Sequence, residues 1–245
     1  MGAASPAEQV TLTLCYNDQL GRRDEGHFSL VLMRAVQSQV PEADIRLSPV
    51  PWKRCLVRAS RGDFDGILGA SFTEDRALNL TYPRDERGEL DASKRMFLQG
   101  YRLLRRQGTR LSWNGQRFIH IDGAIGAESG HSALAFVREQ GVEVDDQHPN
   151  VYAMLAKLRA GRLSGAMVAE PLLASLMSQP GALDGLEMVE PPLVQRPYFL
   201  LFSKPFAARN AVLVQRIWTA IALQRETPEI RRITLEQQGA WSLKP

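Results

Sequence analysis

Residues 51–76, PWKRCLVRASRGDFDGILGASFTEDR, decide how the rest of the chain is read. Trp52, Leu56 and Ala59 recur at helical spacing and Gly62 closes the pattern, which predicts a short helix. Residues 64–70 are then a buried-strand run, too short and too apolar for a surface helix. That strand runs out into Gly69, Ala70 and Ser71, and Arg76 follows the polar turn Thr73-Glu74-Asp75. Small residues let a backbone approach a ligand, and a guanidinium is a fork that pairs bidentately with a carboxylate. The stretch therefore describes a pocket floor with an anion anchor. The plainer alternative is a solvated loop in which Arg76 pairs with Glu74 or Asp75.

Upstream, residues 10–16 alternate apolar residues with Thr and read as a strand. A polar loop over 17–26 carries Asp18. A helix is expected over 28–40, with Phe28, Leu32, Ala35 and Val36 on one face and Pro41 as its stop. A second strand is expected over 45–50. Strand, helix, strand, helix, strand is the rhythm of a parallel α/β sheet.

Downstream, Tyr82-Pro83 opens a charged, loop-like stretch to Lys94, and 96–104 is an apolar strand containing Gly100. Residues 105–117 are basic and turn-rich, fitting a hairpin or crossover. A second α/β series follows: a strand over 121–127, the segment Glu128-Ser129-Gly130-His131-Ser132, a helix over 133–140 and an edge strand over 142–144. Asn150 as N-cap and Gly161 as C′ bound a helix over 151–160. A strand over 164–169, a helix over 171–178 with Pro at its first position, a short strand over 186–189 and a strong strand over 198–203 come next. The chain ends in helices over 211–224 and 227–238, the latter with Thr227 as N-cap and Gly239 as C′. Apolar strands bracketing the second series predict a discontinuous two-lobe α/β protein. Lobe 1 would be 9–100 with 204–245, and lobe 2 would be 101–203.

The composition is that of a globular protein: 245 residues, 44% hydrophobic, 23% charged, net charge +3 from 30 basic and 27 acidic residues. The basic residues form short pairs without a stripe or interleaved aromatics, which argues against a nucleic-acid surface. No apolar run reaches the roughly 18–20 residues that would span a bilayer. Residues 1–9 have neither a basic n-region nor an apolar h-region and resemble the start of a chain after signal cleavage, with a native cytosolic start as the alternative. Cys15 and Cys55 lie 40 positions apart without a CxxC pattern. In a parallel sheet they fall on the same side, so a disulfide is geometrically open, as are two buried free thiols. The four histidines have no ligand spacing, so neither a metal site nor a cofactor is expected.

The order of elements, with GDFDGILGASFTEDR closing the third strand, resembles the family-3 extracellular solute-binding proteins, the periplasmic polar-amino-acid receptors of ABC importers. The resemblance covers about residues 9–241 and implies the type II periplasmic-binding-protein fold. Gly62, Asp65, Ser71, Thr73 and Arg76 stand at the family's motif positions. By that resemblance Arg76 would pair with a ligand carboxylate, Ser71 would donate a hydroxyl, and Gly69 and Ala70 would form the floor. Trp52 stands where the family has a stacking aromatic, and Asp18 where it has an acidic or aromatic contact. The stretches 97–105 and 198–205 look like the two hinge crossings. In lobe 2 the family's Gly-hydroxyl segment corresponds to Ser129, Gly130, His131 and Ser132. The family's ammonium-binding Asp corresponds to Ala169, with Glu170 beside it.

These implications predict a monomeric, non-catalytic periplasmic binding protein. It would take a small carboxylate-bearing solute, an amino acid or a related compound, in a cleft between lobes. Its partner would be an ABC-importer permease, or a sensor in a regulatory version without transport. An enzyme on the same fold, resembling dehydratases, is the other class, with Glu128, His131 and Glu170 as candidate acid and base groups.

Overall fold

The structure is a computed structural model that describes residues 9–18, 27–130 and 132–238. The first series is β1 (Val10–Asn17), α1 (Phe28–Gln39), β2 (Ala43–Val50), α2 (Trp52–Ser60) and β3 (Gly66–Ser71). A one-turn helix α3 (Glu74–Ala77), a short strand β4 (Leu80–Thr81) and a 3-10 turn (Ala92–Lys94) lead to β5 (Phe97–Arg106). The basic segment forms a hairpin of β6 (Ser112–Trp113) and β7 (Phe118–Ile119). The second series is β8 (Ile125–Ala127), α4 (Ala133–Glu139), β9 (Val144–Asp145), α5 (Val151–Arg159), β10 (Gly165–Ala169) and α6 (Glu170–Met177). β11 (Leu186–Ser203), α7 (Lys204–Arg209), α8 (Ala211–Arg225) and α9 (Pro228–Gln238) complete the chain. None of the described helices is long and apolar enough to cross a membrane.

Two compact units result, Met1–Phe97 with Pro197–Thr234, and Leu98–Arg196 with Leu235–Pro245. The chain passes between them inside β5, inside β11 and inside α9. The divisions fall at 97/98, 196/197 and 234/235. Phe97 and Tyr198 stack at 5.1 Å within the first unit's core.

In the first unit, β1 runs parallel to β2 along its whole length, from Val10 opposite Ala43 to Asn17 opposite Val50. On its other side β1 pairs in parallel with β3, and β3 pairs antiparallel with the C-terminal part of β11. One face is filled by Leu12, Leu14, Phe28, Leu32, Val36, Ile217 and Trp218, and the other by Cys15, Cys55, Ala59, Ile67, Phe199 and Leu201. The Trp218 indole donates to Leu200 O at 2.8 Å, which satisfies the one polar atom of that buried ring. Cys15 and Cys55 are bonded, with Cα atoms 5.7 Å apart. The first turn of α2 is thereby fastened to β1.

In the second unit β10 pairs antiparallel with β5 and parallel with β8, and β9 extends the sheet beyond β8. Asn150 caps α5 by accepting from Ala153 N at 3.0 Å, and Gly161 follows with φ of 70°.

Several local expectations are corrected. Residues 186–189 and 198–203 belong to one continuous strand, because Pro191, Pro192 and Pro197 sit in extended backbone without ending it. The strand expected over 121–127 is regular only from Ile125, since Asp122 N is drawn to the Ser164 hydroxyl at 3.2 Å. Thr227 directly precedes α9, which opens on Pro228 as expected, and its carbonyl accepts from Arg231 N at 3.0 Å. Its hydroxyl donates to Gln224 O at 2.7 Å, satisfying a terminal carbonyl of α8. Gly239, the expected C′ residue, lies outside the described residues.

Candidate functional site

In the first unit the site candidates gather where β3 ends. β3 does not run out straight. Ile67 and Leu68 lie opposite Leu201 and Leu200, Ala70 and Ser71 opposite Phe199 and Tyr198, and Gly69 is the extra residue, with φ of 78°. This is a β-bulge with glycine in the left-handed region. Side chains alternate along a strand, so one inserted residue exchanges the faces of everything after it. Ser71 accordingly falls on the sheet face that carries Leu68, Leu200 and Tyr198, where it is buried.

Beyond the bulge, the Thr73 hydroxyl caps α3 by accepting from Arg76 N at 3.3 Å. Arg76 thus sits in a helical turn, and the polar turn expected before it is that helix's start. Its side chain folds back along the strand end. Nη1 donates to Ser71 O at 2.7 Å and lies 3.3 Å from Ser71 Oγ. The guanidinium carbon lies 5.6 Å from the Trp52 ring centroid, a cation–π distance. Arg76 and Trp52 are both half-buried. Ala70 packs in the core beneath, with Phe199 and Ile67. Asp18 follows β1 and donates its backbone N–H to Val50 O at 3.1 Å, continuing the β1–β2 ladder by one bond.

From sequence, Tyr82 was given no role in the site. In the structure its hydroxyl donates to Ser71 O at 2.9 Å. Burial pushes the phenol up to about 12, although the Arg76 charge pulls it down, so it is a donor at neutral pH. A buried tyrosine needs a partner for its hydroxyl, and that is the one signal the sequence held.

The remaining candidates belong to the second unit. Ser129 Oγ donates to Asp146 Oδ2 at 3.1 Å, linking the segment after β8 to the segment after β9. Gly130 has φ of 82°, and Ser132 is buried just before α4. His131 lies outside the described residues. Burial raises the Glu128 carboxyl above the usual carboxylate range. His148 Nε2 lies 3.2 Å from Ala127 O, and Lys157 Nζ donates to Asp145 at 2.7 Å. That second contact leads the causes that lower the Asp145 carboxyl.

Glu170 opens α6 and is almost fully buried. Arg102 Nε donates to its Oε1 at 2.8 Å, and Arg102 Nη1 reaches both oxygens of the more exposed Glu190. Gly100, two residues before Arg102 on β5, is required by this arrangement. A Cβ there would stand 2.2 Å from Glu170 Oε2. Ala169 ends β10 beside it. Neither Arg102 nor Gly100 was singled out from sequence as part of a site. Among the described residues no cluster of His, Cys, Asp and Glu could hold a metal ion.

No family model and no curated protein sequence matches this chain. Solved structures do. A histidine kinase sensor domain with similarity to periplasmic binding proteins matches with a TM-score of 0.72 at 15% identity, over 97% of this chain and 99% of that one. A probable amino-acid ABC transporter extracellular-binding protein from Bacillus subtilis matches with 0.69 at 12% identity, over 95% and 99%. The GluR0 ligand-binding core from Nostoc punctiforme, in complex with L-glutamate, matches with 0.67 at 15% identity, over 93% and 98%. The chain has the type II periplasmic-binding-protein fold. On that fold, the bulge at Gly69 and the turn at Arg76 are how this sequence brings a hydroxyl and a guanidinium to one strand end.

Proposed function

We propose that the chain is a non-catalytic binding protein for a small solute bearing a carboxylate, an amino acid or a related compound. The observation that carries this reading is the held guanidinium of Arg76, fastened through Nη1 to Ser71 and flanked by Trp52. A fixed fork beside an aromatic face suits a planar anion better than a mobile surface arginine does. Proteins of the same fold, among them a ligand-binding core in complex with glutamate, a probable amino-acid ABC transporter binding protein and a histidine kinase sensor domain, support the same reading. An ABC-importer permease or a membrane sensor is the partner class that goes with it. The buried Cys15–Cys55 disulfide favours an oxidising compartment such as the periplasm. The enzyme alternative is weakened by Glu170, whose carboxylate is engaged with Arg102 and so is poorly placed to act as an acid or base.

Thermal unfolding against a panel of amino acids, dicarboxylates and amines tests the proposal. A ligand at about 100 times its dissociation constant stabilises by ~2.7 kcal/mol, and Arg76→Ala is expected to abolish the shift. A panel in which amines stabilise and carboxylates do not would overturn the anchor. Turnover of a bound compound would overturn the non-catalytic part.

A further inference from the structure

One carbonyl oxygen at the end of β3 accepts from two side chains. Tyr82 Oη donates to Ser71 O at 2.9 Å and Arg76 Nη1 donates to the same atom at 2.7 Å. A carbonyl offers two lone-pair directions, so one oxygen can serve both donors. Tyr82 is only 3% exposed. Its ring meets Phe72 at 5.1 Å and Phe199 at 6.2 Å, both edge-on, so packing aims the hydroxyl. Phe199 lies on β11 opposite Ala70, the neighbour of Ser71. The ring is therefore braced by the same strand pair that carries its acceptor. Burial keeps the phenol protonated well above neutral pH, so donation persists across the physiological range.

We infer that Tyr82 is a positioning residue for Arg76: by occupying one lone pair of Ser71 O, it limits the guanidinium to a single bond there and fixes the plane in which the fork is presented. This rests on the reading of Arg76 as a carboxylate anchor. Bidentate pairing needs two parallel N–H groups in one plane, so orientation adds to what charge alone supplies. Without the phenol, the carbonyl has room for a second guanidinium nitrogen, and the fork turns inward onto the backbone. Tyr82 itself touches no ligand in this arrangement.

A double-mutant cycle between Tyr82→Phe and Arg76→Lys tests the inference, read by titration with whichever panel carboxylate most stabilises the wild-type chain. Tyr82→Phe keeps the braced ring and is expected to weaken binding ~10-fold. In the Arg76→Lys background it should add nothing, because an ammonium has no plane to hold. Equal losses in both backgrounds overturn the inference. So does a Tyr82→Phe variant with lowered Tm and unchanged affinity, since that marks a structural role only. Nitrogen-15 spectra of the arginine side chains give a reading without ligand. The two Nη signals of Arg76 should be distinct in the wild type and averaged in Tyr82→Phe, and identical spectra would overturn the hold. If no carboxylate stabilises the wild type, the anchor reading fails, while these spectra still decide whether Tyr82 fixes Arg76.

Discussion

Arg102 and Glu170 form a buried ion pair, with Nε 2.8 Å from Oε1 and both side chains only 5% exposed. Their backbones are adjacent because β5 and β10 are antiparallel partners, with Tyr101 opposite Ala169, so the pair closes the end of that ladder. Glu190 contacts the same guanidinium from a side chain that is 59% exposed. The two carboxylates should therefore differ sharply in worth. Removing one partner of a buried pair leaves an uncompensated charge, and Glu170→Ala is expected to cost about 3 kcal/mol or more of stability. Glu190→Ala should cost less than ~1 kcal/mol, as exposed pairs do. Urea unfolding of the two variants checks the order, and equal losses would contradict this account of the cluster.

Gly69→Ala separates conformational strain from crowding. An added Cβ would lie 3.5 Å from Phe97 Cζ, an ordinary contact, so space is available. The cost comes from φ of 78°, which a side chain disfavours by about 1–2 kcal/mol. If the chain relieves that strain by losing the bulge, Ala70 and Ser71 exchange faces. The expected outcome is a stability loss in that range together with weakened ligand binding. A stability loss with intact affinity would mean that Ser71 keeps its place without the bulge.

The fold was legible because its signals are local. Alternation in β1, the apolar face of α1 and the Asn150 cap each lie within one element, and together they order the two α/β series. The candidate site was legible in part, since Ser71 and Arg76 sit five positions apart on one strand-and-turn motif. What sequence withheld is pairing between distant segments. The bulge at Gly69 exists only relative to β11, so residues 64–70 read as a plain strand. Tyr82 gains its meaning from a carbonyl eleven positions back. Glu170 read as an available carboxylate because Arg102, 68 positions away, could not be placed against it. The unbroken course of β11 through three prolines was hidden for the opposite reason: a local breaker signal was overridden by its neighbours in the sheet.

The second unit carries two carboxyls whose effects on pH dependence have opposite sign. Burial raises Glu128, so between its unfolded and folded values the folded chain holds more protons than the unfolded one. Stability then falls as pH rises through that interval. Glu128→Gln removes the titration and should flatten that limb, leaving a variant relatively more stable near neutrality. Asp145 is lowered, chiefly by its bond to Lys157, so its contribution is present above the unfolded value and is lost as pH falls through the folded one. Lys157→Met should weaken stability at neutral pH and make the acid limb shallower. Unfolding midpoints in urea, taken from about pH 3 to about pH 8, resolve both. A Glu128→Gln profile superimposable on the wild type would show that the group is solvated in the folded protein.

The disulfide gives the last prediction, because it connects stability to the candidate anchor. Cys15 lies in β1 and Cys55 in the first turn of α2, three residues after Trp52, and both are fully buried. Closing a loop of 40 residues restricts the unfolded chain by about 4 kcal/mol on the chain-entropy relation. Reductant should therefore leave the native protein oxidised and act only once denaturant exposes the bond. Under reducing conditions the unfolding midpoint should drop accordingly. A double Cys15→Ala, Cys55→Ala variant should fold with reduced stability. It should also bind carboxylate more weakly, since α2 is then freed from β1 and Trp52 is less firmly held beside Arg76. Intact-mass measurement after alkylation reads the first outcome and ligand titration the second. Rapid reduction without denaturant would mean that α2 opens readily in the native state. Wild-type affinity in the double variant would mean that Trp52 is held by its packing against the rest of that core alone.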